Sequence, residues 1–152
     1  MLSSRAKYAT RALLELTLQH TEGPVLIQSI AERQQIPLKF LEQILLALKQ
    51  AGFVDSRKGR GGGYFLVKPP GAITLGAVVR VIDGPLAPIS CVSLTAYQAC
   101  GCPEPDTCGL RTAWQEARNA LTGVLDKTSF AEILKRQQQL QTGQRDILDY
   151  II

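Results

Sequence analysis

The sequence has a single histidine, His20, and lacks the side-chain arrangements that most enzymes need. No nucleophile is arranged beside this histidine, no acid–base pair of carboxylates is evident, and the phosphate-binding pattern GxxxxGK[ST] is absent. His20 falls at the end of the first predicted helix, where the helix dipole favours a cation. We therefore expect His20 to cap that helix, and we do not expect an enzyme.

Long apolar runs are also missing, because charged or polar residues interrupt every candidate before it reaches the length of a membrane span. The first residues place Arg5, Lys7, Arg11 and Glu15 in an amphipathic pattern, which is not that of a signal peptide. We expect a cytoplasmic protein without a membrane partner. Of its 152 residues, 45% are hydrophobic and 20% are charged, so the chain can fill a core.

Cysteine is absent from residues 1–90 and 109–152, since all four cysteines lie in the stretch CVSLTAYQACGCPEPDTC. Their spacing is C-x8-C-x-C-x5-C. In a reducing compartment such thiols are expected to be metal ligands or redox groups before disulfides. An iron–sulfur cluster, a structural zinc ion and a cluster-free thiol switch all remain open. Pro103 and Pro105 make the segment loose, which favours a metal group that orders it.

Positive charge is concentrated in the N-terminal half of the chain. Residues 1–70 hold ten Lys and Arg against five Asp and Glu, whereas residues 71–152 hold seven against eight. This asymmetry is typical of a surface that faces a phosphate backbone. A solvated basic surface without a partner would have the same composition.

Apolar periodicity predicts three helices in the first third of the chain, at 3–20, at about 27–34 and from Pro37 to about residue 51. The third helix has a buried stripe and carries exposed Lys39, Glu42 and Gln43 near its start. Pro37 is expected in its first turn. Two short helices with a tight connection are typical of a helix-turn-helix.

The segment DSRKGRGGG, with three basic residues and four glycines, separates the β-prone runs 53–54 and 64–67. By itself this hairpin tip is compatible with a flexible turn. Directly after a helix-turn-helix, it predicts the wing of a winged helix, with Lys58 and Arg60 as probes of the minor groove or of phosphate.

Further helices are predicted in the C-terminal half. Thr74 is expected to cap a helix at about 75–83. The clearest periodicity in the chain follows Cys108 and predicts a helix of about 16 residues. Its apolar face would pair with a second copy or be buried in the same chain. Ser129 and Glu132 predict a capping box for a last helix through about Leu140, and residues 150–152 are not assigned.

The sequence resembles the iron–sulfur cluster regulator (IscR) family of winged-helix transcription regulators. The matching segments are KYATRALLEL, IPLKFLEQILLALKQAGFVDS, RKGRGGGYFL and CPEPDTCGLRTAW, and the similarity spans about residues 3–140. It implies a homodimer on a palindromic operator in double-stranded DNA, with the third helix in the major groove and the wing in the minor groove. The DNA-binding candidates are Pro37, Lys39, Phe40, Gln43, Lys58 and Arg60, together with the basic residues Arg5 and Lys7 of the first helix. The dimer-interface candidates are Leu110, Trp114, Ala117, Leu121 and Val124.

The same resemblance implies an iron–sulfur cluster, with 2Fe–2S favoured, on Cys91, Cys102 and Cys108. This chain departs from the family in having a longer first loop and an additional thiol, Cys100. Arg111 stands where some members have a ligating histidine, and Lys7 stands where others have an acid. The fourth ligand is then Cys100, a non-protein ligand or a group of the partner chain.

We therefore expect a mainly α protein with a winged helix-turn-helix domain, a two-stranded β wing and a long dimerisation helix. Its parts would be a DNA-binding domain at 1–84, a cysteine-rich loop at 85–109, and the dimerisation and C-terminal helices at 110–152. The expected function is transcription regulation in which the cluster controls operator affinity. A thiol- or zinc-dependent regulator and an iron–sulfur carrier protein are the alternatives.

Overall fold

A computed structural model of the chain describes the backbone of residues 2–151 and the side chains of residues 2–143. The described chain is mainly helical, which confirms the predicted fold class. Its elements are α1 (Ser4–Leu18), α2 (Ile27–Gln34), α3 (Leu38–Gln50), β1 (Val54–Arg57), β2 (Gly63–Leu66), α4 (Leu75–Asp83), α5 (Gly109–Leu125) and α6 (Phe130–Ile151), with 3-10 turns at Pro70–Ala72, Ser90–Val92 and Pro105–Thr107. None of the helices described here has the length and apolarity needed to cross a membrane.

Helix α1 lies at the centre of the core. Its Ala6, Ala9 and Ala12 are fully buried, and their small side chains let the backbones of neighbouring helices come close. Contacts run from α1 to α2, α3, α4 and α6. The Ser3 hydroxyl caps α1 by accepting a hydrogen bond from the Ala6 N–H at 3.0 Å, and the Ser3 N–H donates to the Asp83 carboxylate at 2.8 Å. The start of α1 is thereby attached to the end of α4.

The end of α1 differs slightly from the prediction, since the helix stops at Leu18 and not at residue 20. A ring nitrogen of His20 lies 2.7 Å from the Thr17 carbonyl oxygen of the last turn. This contact confirms that His20 caps the helix.

Helices α2 and α3 form the predicted helix-turn-helix. The turn between them passes through Gln35, which has a left-handed backbone with φ of 50°. Pro37 takes the N-cap position of α3, one residue before the predicted first turn, because its ψ of 128° is extended. Its carbonyl accepts hydrogen bonds from the N–H groups of Phe40 and Leu41, both at 3.0 Å. The predicted stripe of α3 is buried and consists of Leu41, Ile44, Leu45 and Leu48.

Strands β1 and β2 pair in an antiparallel hairpin with Arg57 opposite Gly63. Val25, which precedes α2, exchanges two hydrogen bonds of 2.8 Å with Tyr64, so the root of the hairpin is attached to the helix-turn-helix. Gly63 has φ of 142°, and a Cβ atom there would lie 2.4 Å from the Val25 carbonyl oxygen. This position therefore requires glycine for both backbone conformation and space.

Helix α4 is one of the links between the second half of the chain and the first. Arg80 of α4 donates two hydrogen bonds to the Asp126 carboxylate, at 2.5 and 2.9 Å, just after α5 ends. These bonds hold the pKa of Asp126 below its ordinary value. Gly76 makes room for the carboxylate, since a Cβ atom there would lie 1.9 Å from Asp126 Oδ1.

Both predicted caps of the later helices are present. The Thr74 hydroxyl accepts a hydrogen bond from the Ala77 N–H at 3.2 Å, and the Ser129 hydroxyl accepts one from the Glu132 N–H at 3.2 Å. Glu132 does not complete a capping box, because its carboxylate pairs with Arg136. Helix α6 continues to Ile151, well beyond the predicted end near Leu140. The side chains of Tyr150 and Ile151, and all of Ile152, lie outside the described residues.

We predict that Gly63→Ala destabilises the fold by about 3 kcal/mol, because a methyl group there adds a clash with the backbone of Val25 to the cost of a left-handed conformation. Gly61→Ala is the matched control, since Gly61 also has a positive φ but has open space around it. This control should cost only about 1 kcal/mol. Urea unfolding measures both variants, and equal losses would contradict the close contact at Gly63.

Candidate DNA-binding surface and cysteine site

The outer face of α3 carries Lys39 and Gln43 one helical turn apart, and both side chains are exposed. Leu46 continues this stripe and is 55% exposed, although it belongs to a helix whose other face fills the core. Sequence reasoning did not single out Leu46. The available signal was an apolar residue at an exposed position of α3, the second helix of the helix-turn-helix.

Phe40 lies at the start of α3, where it is 37% exposed and also packs against α1. Its ring packs edge-to-face against the Tyr8 ring, with 5.7 Å between centroids. The Arg11 guanidinium lies over the other aromatic partner, 5.9 Å from the Tyr8 centroid. Phe40 therefore helps to set the orientation of the start of α3 relative to α1.

A buried polar network fixes α2 against α1. The carboxylate of Glu15, which is 4% exposed, accepts hydrogen bonds from Arg33 at 2.8 Å and from the Gln34 amide at 3.0 Å. Arg11 in turn donates to the side chain and backbone oxygens of Gln34. Arg33 thus pairs with the carboxylate of Glu15, and Arg11 binds Gln34. Arg5 and Lys7, in contrast, are exposed near the start of α1.

The wing presents Lys58 and Arg60 at its exposed tip. Lys49, near the end of α3, bonds the Asp55 carboxylate at 2.8 Å and the Ser56 hydroxyl at 2.9 Å. The hydrogen bond from Lys49 lowers the pKa of Asp55. Lys49 thus connects α3 to β1 and restricts how the wing can move relative to the helix that precedes it.

The four cysteines are reduced thiols that differ in exposure. Cys91 is buried in the turn Ser90–Val92, Cys102 is exposed, and Cys100 and Cys108 are half-buried. Cys91 and Cys102 lie close enough to Cys100, and Cys91 and Cys108 close enough to Cys102, for their side chains to affect one another's acidity. The fold therefore brings all four thiols of this loop into one neighbourhood.

Cys100 and Cys102 share one hydrogen-bonded arrangement that separates their acidities. Hydrogen bonds from the backbone N–H and then the thiol of Cys102 lower the pKa of Cys100. The pKa of Cys102 is raised, because its thiol donates to Cys100 and a thiolate at Cys100 repels a second one. Cys100 is accordingly the more acidic member of the pair.

The four thiols are neighbours but do not form a closed cage. Among the described residues, no three Cys, His, Asp or Glu side chains converge closely enough to hold a single metal ion. In number and chemical type, however, four thiolates match the usual ligand set of an iron–sulfur cluster, which is larger than one ion. Beside this loop, Nε of Arg111 is a fully buried donor that has no hydrogen-bond partner in the described part of the chain. The residues present therefore fit such a group.

The cysteine loop is attached to α5. Arg118 of α5 donates a 2.5 Å hydrogen bond to the Val92 carbonyl oxygen, next to Cys91. Cys108 occupies the N-cap position of the same helix. Sequence reasoning missed Arg118, because its partner is a backbone oxygen 26 residues away and carries no sequence signal.

Helix α5 leaves its apolar face open. All of its residues are described, and none is buried within the chain. Leu110 is 74% exposed, Val124 is 64% exposed and Trp114 is 43% exposed. The proposed interface positions, Leu110, Trp114, Ala117, Leu121 and Val124, alternate in steps of four and three and so follow one face of the helix.

Comparison with known proteins identifies the family. The sequence profile of the Rrf2 family, described as an iron-dependent transcriptional regulator, matches residues 2–136. The chain belongs to the Rrf2 family. It is 39% identical over 138 residues to an rrf2-like HTH-type transcriptional regulator of Rhodobacter capsulatus, covering 88% of this chain and 92% of the relative. It is 34% identical to the HTH-type transcriptional regulator IscR of Citrobacter koseri, covering 95% and 85%.

Solved Rrf2-type structures share this fold. CymR, the global cysteine regulator of B. subtilis, has a TM-score of 0.77 and 32% identity, covering 90% of this chain and 97% of its own. IscR of T. potens has a TM-score of 0.76 and 30% identity, covering 93% and 90%. These likenesses confirm an Rrf2/IscR-type winged-helix regulator. The named relatives thus include both IscR regulators and a global cysteine regulator.

We predict that Cys100 of this Rrf2 protein is alkylated by iodoacetamide about threefold faster than Cys102 at about pH 7.5, because more of it is thiolate below the ordinary thiol pKa of 9.0. Raising the pH to about 10 should narrow the difference as Cys102 ionises. Peptide mass spectrometry measures both rates. Faster labelling of the more exposed Cys102 across this range would contradict the hydrogen-bonded arrangement.

Proposed function

We propose that this Rrf2-family regulator is a homodimer that binds a palindromic operator, and that an iron–sulfur cluster in the loop Cys91–Cys108 controls its affinity. The observation that carries the proposal is the gathering of four thiols on a loop that α5 holds through Arg118. The description of the family as iron-dependent supports it. In this proposal the protein acts in the cytoplasm, has no membrane partner and catalyses no reaction.

The DNA-binding half would correspond to residues 1–84. Gln43 on the outer face of α3 is suited to pair with adenine in the major groove, and Lys39 supplies a cation near base edges or phosphate. Lys58 and Arg60 on the wing would reach the minor groove. Pro37 and Phe40 set the position of α3, and the exposed cations Arg5 and Lys7 would contact phosphate.

The dimer would form through residues 110–152, chiefly the open face of α5. Exposed Leu110 and Val124 mark the two ends of this face, with Trp114 and Leu121 between them. Burying such side chains against a second copy is favourable by about 25 cal/mol per Å² of apolar surface removed from water. An isologous pair of helices would also place two winged-helix domains for a two-fold symmetric operator.

In this proposal the cluster, with 2Fe–2S favoured, is held by Cys91, Cys102 and Cys108, with Cys100 as the fourth ligand. Cys100 suits that role because it lies near both Cys102 and Cys91. The presence and oxidation state of such a cluster would depend on iron and oxidants. Binding would order the loop around Cys91 and hold the Val92 carbonyl against Arg118 of α5.

A cluster-free thiol regulator is the second candidate, because Cys100 is acidified and lies in contact with another thiol. The structural likeness to a cysteine regulator also favours it. It predicts operator binding that responds to thiol oxidation in protein without iron. An iron–sulfur carrier, in contrast, would show no sequence-specific DNA binding.

We predict that Lys58→Ala and Arg60→Ala weaken binding to all sequences and reduce the salt slope of log K by about 0.9 for each phosphate that is no longer neutralised. Gln43→Ala should instead relax preference at one base pair per half-site, by about 1–3 kcal/mol, and leave the slope unchanged. Fluorescence anisotropy over a salt series with operator variants separates these effects. Lys127→Ala removes an exposed cation at the end of α5 and is the control. An unchanged base preference in Gln43→Ala would refute its reading role.

We predict that anaerobically reconstituted protein contains iron and acid-labile sulfide, and that its operator affinity differs about tenfold from that of the apo form. Cys102→Ser should lose the cluster and bind the operator as the apo form does, while Thr95→Ala, an exposed change in the same loop, should keep it. Absorption spectra, iron and sulfide analysis and DNA binding check this. Equal affinity of the loaded and apo forms would refute control by a cluster.

A further inference from the structure

Arg111 contacts both halves of the cysteine segment, before Cys100 and after Cys102. It lies in the first turn of α5, three residues after Cys108. Its guanidinium carbon is 5.9 Å from the ring centroid of Tyr97, which lies between Cys91 and Cys100. Its Nη1 is 3.5 Å from the carbonyl oxygen of Pro105, which lies between Cys102 and Cys108. A single side chain of α5 therefore spans the two halves of the cysteine segment.

These contacts leave the hydrogen-bonding capacity of Arg111 largely unused. The 3.5 Å bond to Pro105 is long for a guanidinium donor. The Nε–H is fully buried and has no hydrogen-bond partner among the described residues. A buried, charged donor without an acceptor is costly, and folded proteins rarely leave one in place. The arrangement points to an acceptor that arrives with a ligand.

The charge of Arg111 identifies the kind of ligand. A guanidinium group carries a positive charge and has only hydrogen-bond donors to offer. The acceptor is therefore anionic or electron-rich. A cluster held by four thiolates is anionic, and hydrogen bonds to its sulfur atoms are among the factors that set its reduction potential.

We infer that Arg111 is a positioning residue for the thiolate-bound cluster. It holds the two halves of the cysteine segment and donates its Nε–H to a sulfur of the site. This inference rests on the proposed function. Arg111 does not replace a ligand, which leaves Cys100 to complete the set. A positive charge beside the cluster favours the more negative, reduced form, so Arg111 raises the reduction potential.

The test compares full-length wild-type protein with Arg111→Gln, Arg111→Lys and Lys127→Gln after anaerobic reconstitution. Iron and sulfide content, the visible absorption spectrum and a one-electron redox titration are measured for each. Lys127→Gln removes the same charge at a position two residues after the C-terminal end of α5. Arg111→Gln should shift the reduction equilibrium at least tenfold toward the oxidised form, about 59 mV for a one-electron couple, or lose the cluster altogether. Arg111→Lys keeps the charge but lacks the Nε–H, so its potential should lie between those of the wild type and Arg111→Gln.

The outcomes separate the two claims. A wild-type protein that takes up no iron and sulfide overturns the proposed function and this inference with it. A wild-type protein that loads normally, with Arg111→Gln equal to it in potential and cluster content, overturns the role of Arg111 alone. If Arg111→Gln fails to fold by circular dichroism, Arg111→Lys decides. A Lys variant that loads with a potential below that of the wild type supports donation from the Nε–H, and one that loads with the wild-type potential overturns it.

Discussion

Close packing around α1 is the constraint on which the rest of the structure depends. Ala6, Ala9 and Ala12 present almost no side chain to their neighbours, so α3, α4 and α6 can approach the same short helix from different sides. A larger residue at any of these positions would push a neighbouring helix outward, since a close-packed core has no spare volume. The DNA-binding half and the C-terminal helix therefore share one core.

Polar contacts at the surface of that core set the orientation of its parts. Arg33 and Glu15 hold α2 on α1, Lys49 and Asp55 hold the wing on α3, and Arg80 and Asp126 hold the end of α5 on α4. The two more exposed pairs, Lys49–Asp55 and Arg80–Asp126, add little to the free energy of unfolding. Their value here is geometric. Arg118 connects the cysteine loop to α5, and Asp126 connects the end of α5 to α4, which packs on both α1 and α3. A change in the order of the cysteine loop can therefore be transmitted to α4 along a continuous set of contacts.

Much of the fold follows from local sequence signals. The stripe of α3, the hairpin around Lys58 and the caps at Thr74 and Ser129 depend on interactions within a few residues, and the structure confirms them. Pro37 is the N-cap of α3, whereas the prediction placed it in the first turn. The fixed φ of proline does not by itself distinguish these two positions. The extension of α6 beyond Leu140 was missed, since its polar sequence has weak periodicity. Arg118, Tyr97 and Leu46 were missed as functional residues because their significance comes from distant partners or from exposure.

The chemistry of the cysteine segment is a property of its composition. Four thiols in a Gly- and Pro-rich loop beside an amphipathic helix favour metal binding or redox chemistry, because residue type sets ligand type. Which thiols touch, which of them is acidified and which cation is left with a buried donor were decided only by tertiary structure. Cys91 meets Cys100, and Arg111 spans Tyr97 and Pro105, because the chain folds back on α5. Contacts between residues far apart in sequence depend on the path of the whole chain, and local patterns do not encode that path.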